Sequence, residues 1–110
     1  MPENLLYNEK DLLLKVAQGD ELAFRQLFEH YNKKLFTFAE EMLKSAADAE
    51  EIVQECFTKL WADRENFAHI DNPGNYLYKM VRNRTLDHIR KVARDKRLID
   101  QVWANISQAD

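Results

Sequence analysis

The sequence predicts an all-α domain, a compact bundle of three to four helices whose fourth member is long and basic. Three observations predict it. Only two Gly and two Pro interrupt 110 residues, and strong helix formers dominate the rest. Apolar residues recur at steps of three and four, the period of one buried helical face. Charge is segregated: residues 1–78 hold eight basic and fifteen acidic side chains, a balance of −7, whereas Lys79 to Arg97 hold eight Lys/Arg against two Asp, or +6. The last thirteen residues add −2, so the overall −3 conceals a polarised molecule. A basic helix on an acidic body suits a polyanion on one face and a different partner on another.

The bulk numbers bound the class. A chain of this length fits one domain, and 45% apolar with 32% charged residues is an ordinary soluble composition. No apolar run approaches the roughly 18 residues of a membrane span, so no membrane insertion is expected. The acidic N-terminus does not read as a secretory signal. Cys56 is the only cysteine, which excludes an internal disulfide and fits a reducing cytoplasm.

Each helix carries its own punctuation. Asn8 is an N-cap for a short first helix, Glu9 to Gln18, with Leu12, Leu13 and Val16 facing inward. Gly19 ends it and Asp20 caps the next. The second helix spans Glu21 to Lys44, its apolar positions Phe24, Leu27, Phe28, Tyr31, Leu35, Phe38, Ala39 and Met42 in helical register. Ser45 with Asp48 resembles a capping box, Asp replacing the usual Glu or Gln, and opens a third helix from Ala46 to Ala62. A polar connection, Asp63 to Asp71, carries Phe67 and Ile70. Asn72-Pro73 then restarts the chain as N-cap and first helical residue. The fourth helix is expected to reach about Arg97, with Leu77, Val81, Ile89 and Val92 as its buried line and Thr85 and His88 between them. Residues 98–110 read as a weakly amphipathic extension.

Two helical faces could carry function. On the third helix Ala49, Ile52, Val53, Cys56 and Leu60 form the apolar stripe, with Asp48, Glu51 and Glu55 opposite. Glu50, Gln54 and Trp61 share a flank, and Phe57 stands at the stripe's edge. An acidic face of this kind is usually only solvated, but a large aromatic at its border suits a protein-interface anchor. On the fourth helix Tyr76, Lys79, Asn83, Arg90, Arg94 and Arg97 fall in one stripe bordered by Arg82, while Arg84 and Lys91 emerge on the other side of the buried line. A helix merely solubilised by arginine normally interleaves Glu at i,i+4. Here Asp87 and Asp95 are the only acids, and a sparsely neutralised stripe with Asn and an aromatic suits phosphates with a few base contacts.

Enzymatic readings find no support, and no catalytic residue, cofactor or metal is expected. A carboxylate-bridged metal bundle needs inward Glu-x-x-His pairs, yet Leu27, Asn66 and Thr85 stand three residues before the three histidines. Both glycines fall at expected helix ends, so there is no phosphate-binding loop. Cys56 lies on a core stripe, where a cysteine is a small hydrophobe more often than a nucleophile. A helical protein-interaction module whose basic face binds an acidic protein partner stays open as the alternative to nucleic-acid binding.

Two blocks carry a resemblance. Asp48-Ala-Glu-Glu-Ile-Val-Gln-Glu-Cys-Phe-Thr-Lys-Leu-Trp61 and Asn75-Tyr-Leu-Tyr-Lys-Met-Val-Arg-Asn-Arg-Thr-Leu-Asp-His-Ile-Arg-Lys91 together closely resemble region 2 of bacterial sigma factors. The match is best to the extracytoplasmic-function (ECF) group of the sigma-70 family. Gly19-Asp-Glu-Leu-Ala-Phe-Arg-Gln-Leu-Phe-Glu-His-Tyr31 is similar to that group's entry helix, so the resemblance covers about residues 9–95.

The resemblance implies a transcription initiation factor domain that binds core RNA polymerase and recognises and melts the promoter minus-ten element. By position, Asp48, Glu51, Gln54, Glu55, Phe57, Lys59 and Trp61 would meet the β′ clamp helices. Phe67, Ala68, His69, Ile70, Asp71 and Asn72 would form a loop capturing flipped bases of the non-template strand. Tyr76, Lys79, Arg82, Asn83, Arg84, His88, Arg90, Lys91 and, from the basic stripe, Arg94 would complete the DNA face. Capture of an unstacked base needs an apolar or aromatic wall with polar edges beside cations, which these residue types can supply. An anti-sigma partner is implied by the resemblance alone. Residues 1–97 would be the region 2 domain and 98–110 the start of a linker to a second, helix-turn-helix domain that this chain lacks. Alone, the chain would bind core polymerase but initiate poorly at a duplex promoter.

Overall fold

The computed structural model describes residues 8–108, so the first seven and last two residues of the expected domain and linker lie outside the described residues. The described chain is helical, without strands: α1 (Glu9–Ala17), α2 (Glu21–Leu43), α3 (Ala46–Ala62), a one-turn 3-10 segment (Arg64–Phe67) and α4 (Pro73–Gln108). None of these helices is long and apolar enough to cross a membrane.

The caps explain the boundaries. The Asp11 amide donates to Asn8 Oδ1 at 2.8 Å, and the Ala23 amide to Asp20 Oδ1 at 3.1 Å. Such caps satisfy amides that the first helical turn leaves orphaned. Gly19 takes φ +90° between α1 and α2, a left-handed conformation that glycine adopts without steric cost. Lys44 also turns left-handed, at φ 58°, and its amide closes α2 on the Glu40 carbonyl at 2.7 Å. Ser45 immediately opens α3, its hydroxyl accepting from the Asp48 amide at 3.2 Å.

Packing follows the apolar pattern. On α2 the buried residues are Ala23, Leu27, Tyr31, Leu35 and Ala39, a ridge stepping strictly by four. That ridge lies at the centre, with α1, α3 and α4 around it. From α3 come Ala49, Ile52, Val53, Cys56, Phe57 and Leu60, and from α4 Leu77, Val81 and Thr85. Each fully buried aliphatic side chain contributes about 1.5–3 kcal/mol over an exposed one. Gly74 lets α4 approach α2: a Cβ there would stand 2.5 Å from Tyr31 Oη. The Tyr31 hydroxyl also donates to Glu9, which ties α1 to the same corner.

The fourth helix departs from the sequence expectation in two ways. It does not end at Arg97 but runs on to Gln108, so residues 98–108 are its exposed continuation. Its buried line stops at Thr85; Ile89 is 38% and Val92 54% exposed. The cause is register. α2 and α3 meet at the Lys44–Ser45 turn, and Asp48, near the start of α3, already lies opposite His88. Beyond that point α4 has outrun its partners and projects, giving the molecule a 68 Å long axis.

Two buried groups give testable consequences. Thr85 is wholly buried and its hydroxyl has no hydrogen-bond partner among the described residues. Thr85→Val should therefore stabilise the fold by about 1 kcal/mol, read as a Tm rise of roughly 4–8 °C for a domain of this size; a fall would mean that the hydroxyl is used. Cys56 is 1% exposed. Burial pushes its thiol up to about 11, Arg84 opposing and Glu55 adding to the rise. At pH 8 almost no thiolate forms, so native alkylation should be far slower than in denaturant, and rapid native labelling would contradict this packing.

Candidate nucleic-acid interface

The α3–α4 pair carries both candidate faces. On α3 the outward residues are Glu50, Glu51, Gln54, Glu55, Thr58 and Lys59. Gln54 Nε2 donates to Glu50 Oε1 at 3.3 Å, a local i,i+4 link on an otherwise acidic surface. Trp61 is half-buried at the flank, its ring 5.0 Å from Phe24, with the Arg64 guanidinium 4.3 Å above it. Arg64 also donates to the Trp61 carbonyl at 2.9 Å. Sequence reasoning passed over Arg64, although its i+3 spacing from Trp61 was the available signal. Phe57 corrects the sequence expectation: at 3% exposure it packs on Phe28 at 4.9 Å and supports the acidic face from within.

Two of the expected polymerase residues turn instead toward α4. Glu55 accepts a hydrogen bond from Arg84 as an ion pair, and Asp48 Oδ2 lies 3.5 Å from His88 Nε2. The bond to Glu55 raises the Arg84 pKa, with partial burial opposing. Both members of the Arg84 pair are about half-exposed, so the bond is worth no more than about 1 kcal/mol in water. These pairs line a groove of about 440 Å³ between the helices, with acidic Glu51 on one wall and Lys91 on the other.

The connection before α4 is only partly available to a ligand. Phe67 is 8% exposed and packs against Tyr76 at 5.0 Å, so its ring belongs to the core, contrary to its placement on a base-capturing edge. Ile70 is half-buried against the same core. Asp71 pairs with Lys10 at 3.0 Å. Asn72 spends its side-chain oxygen capping α4, accepting from the Asn75 amide at 3.0 Å. Ala68 and His69 are exposed at the tip. Pro73 and Gly74 beneath are buried, which fixes the loop's landing on the helix.

Along α4 Lys79, Asn83, Arg90 and Arg94 are exposed at helical spacing as one strip, with half-buried Tyr76 at its edge. Arg82 is exposed beside it, whereas Arg84 and Lys91 are exposed on the α3 side, in the groove with Glu51, Glu55 and half-buried His88. Arg90 is held by Asp87 at 3.1 Å, whereas Arg82 Nη1 reaches Asn83 Oδ1 only at 3.5 Å. A second groove, of about 290 Å³, opens beside Tyr76, Lys79 and Asn83, with Met80 in its lining. A flat aromatic edge, a neutral amide and several cations in one line can stack a base, read its edge and hold phosphates.

Comparison with known proteins gives the family. Residues 27–95 match the family model for sigma-70 region 2. The chain is 30% identical over 82 residues to the ECF RNA polymerase sigma factor SigW of Bacillus subtilis, covering 74% of this chain and 44% of that protein. It is 30% identical over 96 residues to the ECF sigma factor RpoE of Cereibacter sphaeroides, covering 83% and 50%. With the ECF sigma factor SigK of Mycobacterium tuberculosis it shares 24% over 110 residues, covering 98% and 59%. The chain thus spans about half the length of the curated relatives it matches. No solved structure matches it.

Proposed function

Because the chain belongs to the ECF group of the sigma-70 family, we propose that it is a transcription initiation module joining core RNA polymerase to the melted minus-ten element. The observation that carries this reading is charge segregation across one packed helix pair. α3 turns Glu50, Glu51 and Gln54 outward, while α4 turns Lys79, Arg82, Asn83 and Arg94 outward. The acidic surface, with half-buried Trp61 at its border, fits a basic protein partner, the β′ clamp helices. The cationic strip with Tyr76 and Asn83 fits the non-template strand. Its exposed neighbours at the loop tip, Ala68 and His69, leave room for a base flipped from the stack.

The mechanism is one of binding, without catalysis. Capture of unstacked bases stabilises the open strand, because the energy of stacking and phosphate contact is gained only once the duplex has parted. Holding the module on polymerase raises its effective concentration at the promoter. The exposed end of α4, residues 98–108, would lead toward the linker of a longer sigma factor. Competition against an intact sigma factor for core polymerase tests the first half of the reading. The chain should displace the intact factor in a concentration-dependent way, and failure to displace it at any concentration would count against the polymerase face.

A further inference from the structure

Lys59 is one of the residues expected on the polymerase face, yet like Glu55 it borders α4. It lies one helical turn beyond Glu55, on the side that meets α4. There it lines the groove of about 290 Å³ together with Tyr76, Lys79 and Asn83, with Met80 among them. The Glu55–Arg84 ion pair stands in the same groove, its charges already matched. The side chain of Lys59 is 65% exposed, and its ammonium pairs with Asp63 Oδ2 at 3.2 Å, i,i+4. An exposed pair of that kind is weak in water, so a phosphate can share or take the ammonium. Burial pushes the Tyr76 phenol up, with Lys59 opposing the rise and Asp63 adding to it. With Asp63 matched to Lys59 and Glu55 to Arg84, Lys79 leaves the groove with a net positive charge.

We infer that Lys59 is a nucleic-acid contact, its ammonium holding a backbone phosphate of the single strand whose base lies along Tyr76 and Asn83. This assignment rests on the proposed strand-binding role of α4 and moves the edge of the DNA face across the groove onto α3. The ammonium acts as a point charge, for which phosphate is a good ligand at any approach angle. Lys59 and Lys79 would then grip the strand from opposite walls, with the nucleotide between them.

The test uses the whole chain and a fluorescent single-stranded oligonucleotide titrated at three salt concentrations, beside competition for core polymerase. Lys59→Ala should weaken strand binding about fivefold at 0.1 M salt and flatten the salt slope by about 0.7, the value for one lost single-strand phosphate contact. Lys59→Arg should restore both. Asp63→Asn should strengthen binding by releasing the ammonium. Polymerase competition by Lys59→Ala should match that of the unaltered chain. If Lys59→Ala keeps the full salt slope, the assignment is overturned, and a simultaneous loss of polymerase competition returns Lys59 to the protein face. An unaltered chain that binds no strand at any salt overturns the strand-binding reading itself, a result distinct from failure of Lys59 alone.

Discussion

Replacing Glu51 and Glu55 together by lysine is expected to abolish competition for core polymerase while leaving the helical content intact. Both residues lie on the outer half of α3, away from its buried stripe. Reversing exposed charges of this kind costs within about 0.5 kcal/mol of stability. The Glu55 substitution carries a further cost, because it sets a lysine against the Arg84 that Glu55 now binds; that adds no more than about 1 kcal/mol. Glu51→Lys alone separates the two effects, since it spares the pair with Arg84. It should weaken competition strongly at an unchanged Tm. A double variant that still competes at the concentration of the unaltered chain would remove α3 from the polymerase interface.

The second large effect separates charge from sequence reading on α4. Arg94 is exposed beyond the bundle, without the aspartate that holds Arg90, and is the cleaner phosphate probe. Arg94→Ala should weaken binding to all single strands alike and flatten the salt slope by about 0.7. Asn83 lies in the groove beside Tyr76, and among the described residues its oxygen is engaged by a long contact at 3.5 Å from Arg82. Asn83→Ala should keep the salt slope and lose about 1–3 kcal/mol of preference for a minus-ten strand over a scrambled one. Paired titrations with the two strands at three salt concentrations read both quantities. An Asn83 variant that keeps its preference, beside an arginine variant that loses it, would invert the two roles.

Much of this arrangement was legible in the sequence, because local signals fix local structure. Asn8, Asp20, Ser45 and Asn72 each cap the helix they were expected to cap. The apolar stripe of α3 is buried at every expected position. What escaped the sequence is relational. Ile89 and Val92 have the right period for burial, but period alone does not say where the opposing helices stop. With no glycine or proline after Gly74 to end it, α4 simply continues past Arg97.

The candidate site shows the same limit. A wheel drawn for one helix sorts Glu55 and Lys59 with their α3 neighbours, because cross-helix register is invisible to it. Once α3 and α4 are packed, Glu55 meets Arg84, Asp48 meets His88, and Lys59 joins the Tyr76 groove. Phe57 and Phe67 were placed at interfaces by their position in a motif, yet aromatic contacts with Phe28 and Tyr76 draw both into the core. The acidic and basic faces are therefore joined along one seam by the Glu55–Arg84 ion pair and the Asp48–His88 contact.

In the proposed function one face holds polymerase while the other captures a particular DNA strand. This division of roles is tested most directly by fluorescence anisotropy of a labelled single-stranded minus-ten oligonucleotide titrated with core polymerase, with and without the chain. Tight binding of the non-template strand is expected only when chain and polymerase are both present, with much weaker binding of the complementary strand. Equal binding of the two strands, or strand binding by polymerase that the chain does not change, would contradict the proposed function.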